Sequence, residues 1–233
     1  MKDCTECVVR NRAICGGLTP DELAALGSLG RNQIVRRGQT IVWEGDEALV
    51  VANVIDGVLK ASMSMPDGRE QIVGIVFPSD FIGRPFGQES PYSVTALTDA
   101  ELCIFTRSSF EKFALQHPDL EHRLLQHTLG ELDRAREWML LLGKKSASER
   151  IASLLLELST RLQAGGCAHD SMVLDRFELP LDRQQIGDLL GLTIETVSRQ
   201  LSRLKGEGLI ALPDRRHVVI QDRARLQNIA MAA

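Results

Sequence analysis

The chain predicts an α+β fold in three parts: an antiparallel β-roll, a long helix and a carboxy-terminal winged helix-turn-helix. Three observations carry this. Between Asn32 and Arg107, short apolar or alternating runs are cut by Gly38, Gly45-Asp46, Asp56-Gly57, Asp67-Gly68, Pro78 and Gly83, the mark of short strands joined by turns. From His117-Pro118-Asp119 to about Leu142, apolar residues recur at alternating steps of three and four, the spacing of a helical seam. Leu181–Leu204, LDRQQIGDLLGLTIETVSRQLSRL, reads as two short helices around a glycine turn.

At 233 residues there is room for one large or two modest domains. Four segments are expected: a cysteine-rich segment at 1–18, the roll at 19–116, the long helix at 117–143 and the winged domain at 144–233. No apolar run approaches the roughly 20 residues of a membrane span. The amino terminus, MKDCTECVVRNRAIC, has no apolar signal core, so no membrane partner and a cytoplasmic location are expected. The net charge of -4 does not advertise a nucleic-acid binder. Its distribution is more telling: residues 1–143 hold 14 Lys/Arg against 20 Asp/Glu, and residues 144–233 hold 13 against 11. A DNA-binding surface would therefore be carboxy-terminal. The sequence has no P-loop, no Gly-x-Ser-x-Gly and no His-Glu-x-x-His, which argues against an enzyme.

In chain order, Cys4, Cys7 and Cys15 come first, spaced C-x2-C-x7-C. Clustered cysteines in a reducing compartment bind metal more often than they pair. Thiolates favour zinc or iron–sulfur clusters. A fourth sulfur would come from Cys103 or Cys167, and spacing does not choose between them. Val8, Val9, Ile14 and Leu18 would give the site thin cover. Thr19-Pro20-Asp21-Glu22 opens a helix with a threonine cap, proline in the first turn and glutamate three residues on. Its buried face is expected to be Leu23, Leu26 and Leu29.

The seam of the long helix is Leu125, Thr128, Leu132, Ala135, Met139 and Leu142, which predicts a homodimer. His117, His122 and His127, on or near this helix, read as solvated or supporting residues rather than haem ligands. Lys144-Lys145-Ser146 marks a hinge. A helix follows over Ser148 to Leu162, with Ile151, Leu154, Leu155 and Leu158 inward, then a loose polar loop to Leu179-Pro180. Asp182 caps the next helix, Gly191 ends it and Thr193 caps its successor. Val197, Leu201 and Leu204 are that second helix's core positions.

Lys205-Gly206-Glu207-Gly208 breaks this helix. Leu209–Leu212 and His217–Ile220 then flank a polar turn, giving a β-hairpin wing. Asp222 to Ala233 is a short terminal helix or tail. A helix, glycine turn and helix followed by a wing presents its second helix to the DNA major groove. Arg199 would grip a guanine edge bidentately, and Glu195 would accept from a cytosine amino group. Thr193, Arg203 and the wing-tip pair Arg215 and Arg216 suit the phosphate backbone.

The run Gly191-Leu192-Thr193-Ile194-Glu195-Thr196-Val197-Ser198-Arg199 resembles the recognition helix of the CRP/FNR superfamily of bacterial transcription regulators, and its Glu-x-x-Ser-Arg resembles the FNR-like branch. Arg37-Gly38-Gln39 through Trp43-Glu44-Gly45-Asp46 and Asp56-Gly57-Val58-Leu59-Lys60 resemble that superfamily's cyclic-nucleotide-binding-type β-roll. The resemblance implies base contacts from Glu195, Ser198 and Arg199 to a palindromic double-stranded operator. It also implies recruitment of RNA polymerase as an activator. It further implies an oxygen-sensing [4Fe-4S] cluster on Cys4, Cys7, Cys15 and Cys103 that controls dimerisation and DNA binding, with zinc the alternative metal. The seven-residue gap before Cys15 is longer than in better-known members and is similar to a branch from α-proteobacteria. Ala135 stands where some oxygen-sensing relatives carry an acid. Phe81–Ser90 lacks the Gly-Glu-Leu and Arg-Ser of the cyclic-nucleotide branch, and Arg84 is followed by Pro85. That argues against cyclic AMP and leaves Arg84 able to meet another anion.

Overall fold

The computed structural model describes residues 4–162 and 174–231. These form two compact units: 4–68 with 73–133, and 69–72 with 134–162 and 174–231. Cys167 and the loop around it lie outside the described residues.

The first unit starts with two 3₁₀ turns, Cys4–Glu6 and Ile14–Gly17, followed by α1 (Pro20–Leu29). Thr19 caps α1, accepting from Glu22 N while Glu22 Oε2 accepts from Thr19 N. Leu23 and Leu26 are buried as the spacing requires, but Leu29 is 41% exposed. It is the last residue of its helix, and the chain turns into a strand immediately after it.

Eight strands make the roll: β1 (Gly30–Val35), β2 (Thr40–Val42), β3 (Val50–Asp56), β4 (Leu59–Ser64), β5 (Glu70–Val76), β6 (Phe81–Ile82), β7 (Ser93–Ala96) and β8 (Ala100–Thr106). They form two four-stranded sheets, ordered β1-β8-β3-β6 and β2-β7-β4-β5. Side chains alternate across each sheet. Val35, Ala52, Val54, Leu59, Val94, Leu102 and Ile104 therefore fill the interior of the roll. The opposite face of the first sheet carries Val51, Cys103 and Phe105 into a second apolar cluster with Ile14, Leu26, Phe110, Leu120 and Leu124. That outer layer seats the amino-terminal segment.

The roll leads into α2 (Arg107–Ala114), a helix with no side-chain cap bond that the sequence pattern does not announce. Then comes α3 (Pro118–Lys144), 27 residues long and two residues longer at its end than the spacing suggests. No described helix is long and apolar enough to cross a membrane.

In the second unit, α4 (Ala147–Arg161) is capped by Ser146 with Glu149 in reciprocal contact. Arg150 donates to three backbone carbonyls, those of Leu142 (2.7 Å), Lys145 (2.8 Å) and Leu190 (2.8 Å). It thereby ties the end of α3 to α5 (Arg183–Leu190). Asp182 caps α5 with Gln185 three residues on, Gly191 ends it at φ 63, and Thr193 caps α6 (Ile194–Gly206). Ile186, Leu189, Leu190, Val197, Leu201 and Leu204 are all buried. The chain then forms β10 (Ile210–Ala211), β11 (His217–Ile220) and α7 (Arg223–Met231).

Two expectations need correction here. The approach to Leu179 contains a strand, β9 (Arg176–Glu178), antiparallel to β11, so the wing is three-stranded with order β10-β11-β9. Phe177 is buried there and supplies the reason. α6 also runs through Gly206 and stops only where Gly208 takes φ +71.

Candidate functional site

The amino-terminal segment winds as successive turns, with Arg10 N bonded to Cys7 O, Ala13 N to Val9 O and Gly16 N to Ala13 O. This winding points Val9, Ala13 and Ile14 inward, all nearly fully buried, and leaves Val8 outward at 59% exposure. Val8 therefore gives no cover, and Ala13 takes its place. Cys7, Cys15 and Cys103 pack on Val9, Ala13 and Ile55. Cys4 reaches the same place across α1, where a methyl group built on Gly27 would lie 2.7 Å from Cys4 Sγ.

Burial, and then the neighbouring cysteines, push the Cys15 thiol up to about 11. The same causes push Cys103 up to about 12, with Cys4, Cys15 and Cys7 all contributing. The four thiols thus sense one another's charge, and none of them forms a disulfide. A half-buried group of sulfur donors opposes thiolate formation unless a soft cation compensates. The donor set and the space left by Gly27 fit such a centre.

Among the described residues, the trio of possible metal ligands whose atoms all lie within 4.8 Å is Asp80, His127 and Glu131, with no cysteine in it. His127 Nε2 is 4.0 Å from Asp80 Oδ1. An imidazole with two carboxylates suits a harder cation than a thiolate set does. His127 and Glu131 also border a cavity of about 550 Å³ lined by Phe81, Arg84, Tyr92 and Thr128. His117 is a supporting residue: it stacks on Phe113 with centroids 3.8 Å apart, and its Nδ1 lies 2.7 Å from Phe113 O.

The cysteine loop touches α3. Methyl groups built on Gly16 and Gly17 would meet Arg123 at 3.1 and 2.8 Å. Cys15 and Leu18 pack in the cluster that contains Leu120 and Leu124. On α3, Leu125 (56%), Leu132 (44%) and Met139 (72%) of the expected seam are exposed, with Ala135 also outward and Leu142 half-buried. Leu129 is 52% exposed and joins this stripe beside Thr128, which is exposed as well. The Thr128 hydroxyl donates back to Leu124 O at 2.8 Å.

On α6, Glu195, Ser198 and Arg199 are exposed along one side of the first two turns. The Glu195 carboxylate is held below its usual range by its own backbone N–H and by the Thr193 hydroxyl. It is therefore ionised and purely an acceptor. Arg199 Nη2 donates to Thr196 Oγ1 at 3.4 Å, a long contact. Arg203 pairs with Glu207 at 2.7 Å, and Arg216 lies 3.6 Å from Glu178. Arg215 is exposed at the wing tip. Asp214 orders that tip by accepting from Arg216 N, His217 N and the His217 ring, which lowers its pKa to about 2. Gly187 carries no signal in the sequence. A methyl group there would meet Leu192 O at 2.5 Å, so only glycine lets α5 approach the turn this closely.

A sensor-type roll, a long helix with an outward apolar stripe and a winged helix-turn-helix with an open polar face define a DNA-binding regulator. Residues 149–229 match the Crp-like helix-turn-helix domain, and residues 32–117 match the cyclic nucleotide-binding domain. The chain is 47% identical over 223 residues to the transcriptional activator protein FnrL of Cereibacter sphaeroides, covering 96% of this chain and 90% of that one. It is 37% identical over 229 residues to the nitrogen fixation regulation protein FixK of Bradyrhizobium diazoefficiens, covering 98% and 94%. Among solved structures, FixK2 from Bradyrhizobium japonicum matches with a TM-score of 0.78 at 35% identity, covering 88% of this chain and 98% of that one. The chain belongs to the CRP/FNR family of transcription regulators and is not an enzyme.

Proposed function

We propose that the chain is an oxygen-responsive transcription activator that acts as a homodimer on an inverted-repeat operator. In this reading Cys4, Cys7, Cys15 and Cys103 hold a [4Fe-4S] cluster. The observation that carries it is the gathering of three amino-terminal thiols around a fourth from β8. Zinc is the alternative occupant, since a set of four thiolates also suits that metal.

When bound, the cluster supplies a core that oxygen degrades. The chain's own residues supply the rest. Cys15-Gly16-Gly17 rests on Arg123, and Cys15 and Leu18 rest near Leu120 and Leu124. Order in the loop therefore bears on the first turns of α3. α3 carries Leu125, Leu129, Leu132, Ala135, Met139 and Leu142 toward a second copy. Glu195, Ser198 and Arg199 read bases, while Thr193, Arg203, Arg215 and Arg216 hold phosphates; the salt bridges of Arg203 and Arg216 are exposed and exchange for phosphate at little cost. Oxygen shifts this equilibrium only as far as the cluster favours the DNA-competent dimer over the alternative. The work divides along the chain: residues 1–18 sense, 19–116 support, 117–143 dimerise and 144–233 bind DNA. RNA polymerase is the expected partner at the promoter.

The test is operator binding by protein purified without oxygen, repeated after exposure to air. Sequence-specific retention that falls at least tenfold in air is expected. Equal retention before and after would remove the oxygen switch and leave the DNA reading intact. A second reading is favoured by the cavity beside Arg84, Tyr92 and Thr128, whose size suits a small effector. Dialysis of cyclic AMP against the protein and its Arg84→Ala variant tests it; binding that depends on Arg84 would support an effector role.

A further inference from the structure

The most conspicuous unexplained group in the first unit is an amide. Asn53 lies in the middle of β3, within Val-Val-Ala-Asn-Val-Ile-Asp, and is 3% exposed. Its Oδ1 is buried with no hydrogen-bond partner among the described residues. Leaving a buried amide unsatisfied forfeits its hydration without replacing it. Native structures that carry such a group usually place a water, an ion or a functional ligand against it.

The sheet register says where the amide faces. Asn53 is directly opposite Cys103 on β8 and opposite Phe81 on β6. Its neighbours Ala52 and Val54 fill the interior of the roll, while Val51 packs in the outer layer with Cys103, Phe105 and Phe81. Ile55 packs in the same outer layer, with Val9, Ala13, Cys7 and Cys15. Asn53 therefore points outward, into the layer that holds the thiols. Directly opposed residues have Cβ atoms about 4.5–5.5 Å apart, so the amide is within reach of a sulfur centre held by Cys103. A half-turn about χ2 exchanges Oδ1 and Nδ2 and can present N–H at the orphaned position.

We infer that Asn53 is a positioning residue for the sulfur centre, donating its side-chain N–H to a cluster sulfide or to the Cys103 thiolate. The inference rests on the cluster reading given above. Hydrogen bonds to cluster sulfurs stabilise the more reduced, more negative state and raise the potential. Asn53 accordingly slows loss of the cluster to oxygen.

The experiment uses the full chain, purified without oxygen, as wild type and as Asn53→Leu, which keeps the volume and removes the donor. Iron and sulfide are counted first. Bleaching of the visible absorbance in air is then timed, and the chemically reduced protein, labelled with side-chain ¹⁵N-asparagine, is examined by pulsed electron paramagnetic resonance for nitrogen coupling. The expected result is a wild-type ¹⁵N coupling that Asn53→Leu lacks, with bleaching at least threefold faster in the variant. Asn32 on β1 also lies opposite Cys103, so the coupling is assigned to Asn53 by its loss on substitution, and Asn53→Ala serves as the second variant if Asn53→Leu fails to fold. A loaded wild type with no ¹⁵N coupling, or a loaded variant that bleaches at the wild-type rate, overturns the role of Asn53 and leaves the cluster in place. A wild type without iron and sulfide overturns the cluster reading and this inference with it.

Discussion

Replacing Gly27 with alanine sets two effects of opposite sign against each other. Gly27 is in the interior of α1, where alanine is favoured over glycine by about 0.8–1.0 kcal/mol. On helix propensity alone, Gly27→Ala stabilises the metal-free protein. The added methyl group, however, would lie 2.7 Å from Cys4 Sγ. Ordinary non-bonded contact requires about 3.5–4.0 Å, so the sulfur must retreat by roughly 1 Å. Cys4 sits in a three-residue 3₁₀ turn that yields more easily than the packed helix does. Metal–ligand distances tolerate only about ±0.2 Å. Cys4 is therefore lost as a ligand while the fold survives. The assay is paired: iron and sulfide content with air-bleaching rate for the cluster, and thermal unfolding of the metal-free protein for the scaffold. Reduced cluster content with an unchanged or raised melting temperature is expected. Full cluster content with the wild-type lifetime would refute the placement of Cys4 against α1 as a ligand.

Four other outcomes follow from the same structure. Arg199→Ala should cost about 1–3 kcal/mol per half-site and relax preference at one base pair; binding assays on substituted operators that keep wild-type discrimination would remove Arg199 from base reading. Leu129→Glu places a charge in the exposed stripe of α3 and removes two leucines from a dimer. It should weaken association by about 3 kcal/mol, roughly a hundredfold, as read by sedimentation; an unchanged dimer would move the interface elsewhere. Gly187→Ala should destabilise the winged domain by about 1–3 kcal/mol, because its methyl group meets a backbone carbonyl rather than a pliable side chain; chemical denaturation checks the sign. Asp214, lowered from 3.8 to about 2, orders the wing tip as a carboxylate. Its contribution is fully present above pH 4 and is lost as pH falls through 2. Amide resonances of Arg216 and His217 should titrate near 2, and a midpoint near 3.8 would show that the tip bonds do not persist in solution.

What is legible in the sequence is whatever local chemistry dictates. Thr19, Asp182 and Thr193 cap helices because their side chains compete for the first free N–H groups, and Gly191 ends α5 because it accepts a left-handed backbone. The turn glycines mark out the roll in the same way. The features that escape the sequence share a dependence on distant partners. β9 is three residues long, and Phe177 alone is buried in it, so no periodicity could reveal it. Gly27 and Gly187 look like ordinary helical glycines until Cys4 and Leu192 are packed against them. Thr128 and Leu129 both fit a three-and-four spacing and both are exposed, so local spacing alone does not bring the second leucine into the stripe. For the cysteines, spacing identifies three of the gathered thiols. The choice of Cys103 rests on a family resemblance, and β8 carries it into the same layer. Asn53 is a lone amide in an apolar strand, and nothing local says that its strand register sets it opposite Cys103.

The measurement that bears most directly on the account is the iron, acid-labile sulfide and zinc content of protein purified without oxygen, with visible spectra before and after air. About four iron and four sulfide per chain, with a brown absorbance that bleaches in air, is the predicted result. One zinc per chain, or no metal at all, would contradict the sensor and leave a DNA-binding regulator whose control lies elsewhere.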